Sequence, residues 1–246
     1  MGLDKENYKR IVKSIAGGDD IIPGIHNYCD RWCERCTHSG KCSVFKIEKE
    51  MNLSNEDMDI QNEQFWKSLK ELFWATSELL DEKMKELDID TDDKPTENFI
   101  TEPLNNEMVI VSKEYAFEVA KWLEKHRNLI IDKFELNQNV NESKALIIAD
   151  AIDIIQHYFM MVATKTYRAS LVYKDNEEQN EDARGSAKVA LIIIDRSIAA
   201  WSALLKDFSD FEDDILKFLK DISKVKRLLL NAFPNAMEFI RPGFDE

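Results

Sequence analysis

The sequence predicts an all-α fold, an antiparallel helical bundle with a small N-terminal cysteine-rich module, and three observations predict it. Apolar residues recur at helical spacing over several long segments. Gly and Pro fill only 7 and 5 of the 246 positions, too few for the many turns of a sandwich or barrel. All four cysteines, Cys29, Cys33, Cys36 and Cys42, fall within one fourteen-residue stretch.

Taken in order, Leu3, Tyr8, Ile11, Val12 and Ile15 mark a first helix that "GGDD" ends, and "IIPG" leads into the cysteines. From about residue 61 to 87 a long helix carries Phe65, Leu69, Leu72, Phe73, Leu79, Leu80, Met84 and Leu87 as an apolar stripe. Trp66, Phe73 and Trp74 read as core residues of that helix. The acidic stretch "DIDTDDKPTENFITEPLNNEM", with two prolines, reads as an exposed connection. Four helices then follow at roughly 112–135, 142–173, 184–207 and 210–232, the last opened by a capping box of Ser209 and Glu212 and closed by Pro234. The middle two are apolar on most sides, as central helices are. The expected organisation is therefore an N-terminal helix and four-cysteine metal-binding module at 1–50, a long amphipathic helix at 51–90, an acidic Pro-containing connection at 91–111 and the helical bundle at 112–246.

A chain of this length buries a substantial core. Its net charge of −14 is uneven: residues 1–47 carry eight Lys and Arg against six Asp and Glu, and residues 48–107 carry six against eighteen. So acidic a chain lacks the cations that phosphate binding draws on, so nucleic acid is an unfavoured partner. The N-terminus lacks the apolar core of a signal peptide, and the longest apolar run, residues 190–205, is interrupted by Asp195 and Arg196. The expected localisation is cytoplasmic, with no membrane partner.

In a reducing compartment, four clustered thiols point to metal rather than disulfides. Their spacing is C-x3-C-x2-C-x5-C. If residues 27–37 were helical, Cys29, Cys33 and Cys36 would share one face, and Gly40 would allow the chain to bring Cys42 back. Four thiolates around one divalent ion make a closed structural zinc site, and the same four could hold an iron-sulfur cluster. Arg31, Arg35 and Lys41 lie between the ligands, where they would offset the anionic charge, and His26 and His38 flank them. "CDRWCERC" also resembles the C-x3-C-x2-C run of radical S-adenosylmethionine enzymes. That family is built on a largely α/β barrel, whereas no βα alternation is visible here and Cys42 would be surplus.

A second candidate constellation lies on the central helices. Asp150, Asp153, His157, Thr164 and Arg168 trace a stripe on one, and Lys188, Asp195 and Ser202 recur every seven residues on the next. Asp150, Asp153, His157 and Asp195 are the candidate catalytic residues of a polar pocket, with Asp153 or His157 as base and Asp195 as charge partner. The competing reading makes these stripes solvent-facing edges or a structural network in which Asp195 meets Arg168 or Lys188. No phosphate loop, H-E-x-x-H or G-x-S-x-G is present.

Two functional readings follow. One is a structural zinc protein acting as a binding or assembly module for protein partners, with a homodimer suggested by the apolar central helices. The other is an iron-sulfur redox protein or a bundle enzyme, and composition alone does not decide whether the chain is catalytic.

Overall fold

The computed structural model describes residues 5–16, 18–51, 63–88, 106–171 and 177–245. Among the described residues all regular structure is helical, with no strand. There are α1 (Lys5–Ala16), α2 (Ser43–Met51), α3 (Glu63–Glu86), α4 (Glu107–Val140), α5 (Glu142–Ser170), α6 (Glu177–Leu205) and α7 (Glu212–Ala232). The expected acidic connection falls almost wholly outside the described residues.

The chain forms two compact units. Among the described residues, the first holds those up to Asn27, those from Arg31 to Asp88, and 242–245. The second holds Tyr28–Asp30 and those from Asn106 to Arg241.

In the first unit α1 packs on both α2 and α3. Lys5, Lys9 and Lys13 repeat every four residues and so line one face of α1, opposite Glu78 and Glu82 on α3. Lys5 pairs with Glu78, Lys9 with both carboxylates at 2.8 and 2.9 Å, and Lys13 with Glu82 at 2.6 Å. These cations pull the Glu82 carboxyl down to about 2, Lys13 most strongly and then Lys9. Trp66, Phe73 and Trp74, expected in the core, are instead more than half exposed, because α3 turns the small Ala75 inward.

The second unit is the bundle. Each of α4 to α7 packs on its neighbours in sequence, and α4 closes the ring on α7. A single residue, Asn141, joins α4 to α5, and its side chain caps α5 by accepting from the Lys144 amide at 3.1 Å. So short a link forces the two helices antiparallel. At the centre Trp201 of α6 donates its indole N–H to the Tyr115 hydroxyl of α4 at 2.9 Å, with Trp122 and Phe218 against its ring at 5.4 and 4.8 Å. That bond satisfies two polar groups that burial would otherwise penalise. Ala183, Ala187 and Ala190 are fully buried along α6, small residues that admit the close approach of α5.

Two expectations are corrected here. Helix α7 begins at Glu212 behind a 3-10 turn, Ser209–Phe211, with no side-chain cap bond, so the Ser209 box does not form. The run at 190–205 is not the segment closest to a membrane span. Helix α5 is long and apolar enough to cross a membrane by length and composition, as a core helix of a bundle also can be, and it packs on α4 and α6.

Candidate functional site

The cysteine segment is a chain of tight turns rather than the helix expected over 27–37. Short 3-10 turns occupy Ile25–Asn27, Cys33–Arg35 and Ser39–Lys41. Arg31, at φ 56°, sits in the left-handed region, which a continuing α-helix does not permit, so the helical-face argument for three sulfurs does not apply. Another regularity replaces it. Cys36 closes the second turn by donating its amide to the Cys33 carbonyl at 3.2 Å, and Cys42 closes the third by donating to Ser39 at 3.2 Å. Both cysteines leave their turn in extended conformation. The Cys36 sulfur also accepts the His38 amide N–H at 3.4 Å.

Within the first unit several contacts tie the segment down. Ile22 donates its amide to the Lys41 carbonyl at 3.0 Å, Lys46 pairs with Asp20 at 2.6 Å, and Ile25 is buried. Arg35 stacks 3.9 Å over the Trp32 ring, and His38 meets Phe244 edge-on at 5.0 Å. All four cysteines are half-buried, and none is in a disulfide. Among the described residues no three His, Cys, Asp or Glu side chains already form a group able to hold a metal ion.

Cys29 belongs to the short stretch Tyr28–Asp30, which is fastened to the bundle on both sides of the cysteine. Tyr28 packs its ring 4.8 Å from Phe239 and donates its hydroxyl to Asp182 at 3.1 Å. Asp182 is gripped by both Nε and Nη2 of Arg168, at 2.9 and 2.6 Å, the planar fork that makes such pairs strong. Burial, followed by the Asp182 charge, pushes the Tyr28 phenol up to about 12. On the other side Asp30 accepts the Tyr158 hydroxyl at 2.8 Å and pairs with Arg196, while Nε2 of His157 bonds its backbone carbonyl at 2.9 Å. Arg196 also donates to the Tyr158 hydroxyl at 2.6 Å. Burial, reinforced by Asp30, raises the Tyr158 phenol far above its ordinary value.

The sequence-predicted pocket residues are thus distributed among several tasks. His157 holds Asp30. Asp195 pairs with Lys226 of α7 at 2.5 Å, rather than with Arg168 or Lys188. Arg168 serves Asp182, and Lys188 donates to the Phe239 carbonyl at 2.6 Å. Asp150 and Asp153 are exposed on α5. Asp153 borders an open groove of about 330 Å³ between α4 and α5, where Leu123, Ile130, Phe134 and Ile152 supply apolar walls and Arg127 and Gln156 the other polar groups. Asp150, His157 and Asp195 do not line it.

The residues that sequence reasoning missed are Tyr28, Asp30, Tyr158, Asp182 and Arg196. Their signal was the polar pair flanking Cys29 in "YCD" and a tyrosine and an arginine placed on two otherwise apolar helices. No family model, curated protein or solved structure matches this chain.

Proposed function

We propose that the four cysteines bind one structural zinc ion and that the protein works in the cytoplasm as a helical binding or assembly module for protein partners. The observation that carries this reading is the concentration of every thiol of the chain, all of them out of disulfides, in a segment of successive tight turns. The amide donated to Cys36 and the cations Arg31, Arg35 and Lys41 suit a site whose four thiolates leave a net charge of about −2 on a bound divalent ion. Because the thiols are not already grouped, binding would draw them together, and metal affinity and ordering of the segment would be one process. A partner surface has support in the exposed side chains of Leu136, Val140, Leu146 and Ile147, which surround the Asn141 link. A second copy of the chain is one such partner.

The test is elemental and spectroscopic. Protein purified anaerobically without added metal is analysed for zinc, iron and sulfide and its visible spectrum is recorded. One zinc per chain and no colour support the reading; a brown protein with iron and sulfide replaces it with an iron-sulfur centre. Metal-free protein with four free thiols removes it.

A further inference from the structure

The α4–α5 pair turns two seams outward from the bundle. On α4, Phe117, Ala120, Glu124, Arg127, Ile131 and Phe134 follow one another in steps of three and four, and on α5 Leu146, Ala149, Asp153, Gln156 and Met160 do the same. That spacing keeps a row of side chains on one face, as helices do where they pack lengthwise on other helices. Both seams are open: Phe117, Ile131, Leu146 and Met160 are 59, 44, 62 and 47% exposed. Between them runs the groove of about 330 Å³, with Arg127 on its α4 wall and Asp153 on its α5 wall. Asn141 alone joins the two helices, so Arg127, 14 residues before it, and Asp153, 12 residues after it, stand at nearly the same height.

We propose that this face docks on a second copy of itself about a two-fold axis parallel to the helices, so that α4 of each copy lies against α5 of the other and Arg127 of each meets Asp153 of the other. The charge pattern selects this occupant. A two-fold axis presents a patch to itself, so every contact forms twice and the patch must carry both members of each pair. Here a cation and an anion stand level on neighbouring helices, and that axis brings them together twice. Among the described residues Arg127 is in no ion pair of its own chain. The charges would fix the register while the apolar side chains supply the burial. The size is also right. The 29 residues of α5 span about 40 Å, and two helices side by side are about 20 Å wide, a face of about 800 Å², which is what each partner gives to a standard stable interface. The proposal rests on the assembly part of the reading above, whose partner it names, and not on the metal.

Sedimentation velocity of the full chain, from low to high micromolar concentration, reads the association directly. A dimer is expected both with zinc and in excess chelator. Ile131→Glu puts an unpaired charge into each half of the seam and should weaken the dimer about 100-fold. Arg127→Glu and Asp153→Lys each set like charges against one another twice and should weaken it about 10- to 100-fold. Combining the two exchanges the signs and should recover most of that loss. All three positions are exposed, so the fold should survive, and circular dichroism checks it. Met160→Glu, also exposed, stands in for Ile131→Glu if that variant fails to fold. A wild-type monomer at every concentration overturns the proposal while leaving the zinc reading and foreign partners in place. A dimer that none of these variants weakens, or a double variant no better than either single one, overturns it as well. A wild-type dimer that these variants weaken and the double variant restores, in protein that binds no zinc, supports the proposal and removes the zinc reading alone.

Discussion

The two units are held together by different forces. In the bundle more than thirty apolar side chains are buried around an aromatic centre, whereas among the described residues of the first unit only Ile25 and Ala75 are buried apolar positions. What replaces a core there is a zipper of surface ion pairs between α1 and α3 and a set of tight turns around the cysteines. Surface pairs contribute little and are screened by salt. A segment so poor in buried surface is the kind that natural proteins complete with a metal or a cross-link, and three of the four cysteines, Cys33, Cys36 and Cys42, belong to this unit.

The sharpest way to break this contrast is to damage the bundle alone. Trp201→Ala removes a fully buried ring and its bond to Tyr115, and should cost about 3–5 kcal/mol in urea unfolding followed by circular dichroism. A loss below about 1 kcal/mol would contradict a centre built on that ring. The complementary damage, Cys33→Ser with Cys36→Ser, should raise hydrogen exchange across residues 20–50 while the bundle still melts cooperatively. Collapse of the bundle in that variant would mean the two regions do not fold separately.

A smaller effect is expected at Gly185, where an added Cβ would lie 2.4 Å from the Tyr28 ring. Gly185→Ala should displace Tyr28, cost about 1–3 kcal/mol through overpacking, and speed exchange at the amides of residues 28–30. Unchanged exchange there would show that the ring is not fixed against α6. The smallest effect is on acidification. The Glu82 carboxyl is depressed when folded to about 2 from an ordinary 4.5, so its contribution is complete above 4.5 and is lost as pH falls from there toward 2. Amides of α1 should lose protection over that window, and added salt should mimic the loss at neutral pH. A transition centred above pH 5 would assign the zipper to other groups.

Much of the architecture was legible because long helices write their period into the sequence. The four bundle helices and the apolar character of α5 and α6 followed from spacing alone. The cysteine segment resisted the same argument, since a 3-10 turn and a left-handed Arg31 leave no periodic trace. On α3 the stripe was real but only partly covered: Leu69, Leu72, Leu79 and Met84 are half-buried while Phe73, Leu80 and Leu87 stay exposed, because periodicity shows that a face is apolar without showing how much of it is covered. The polar stripe on α5 and α6 was visible too, yet its partners Asp30, Asp182, Phe239 and Lys226 lie up to 127 residues away and could not be paired by inspection.

The bundle stands by its own core, whereas the cysteine region is proposed to be ordered by metal. Hydrogen exchange of the full chain, followed by mass spectrometry with stoichiometric zinc and again with excess chelator, tests it directly. The prediction is strong added protection with zinc across residues 31–50, and an unchanged pattern over α4 to α7 and the amides of Tyr28–Asp30 that are already tied to them. Equal exchange of residues 31–50 under both conditions would contradict it.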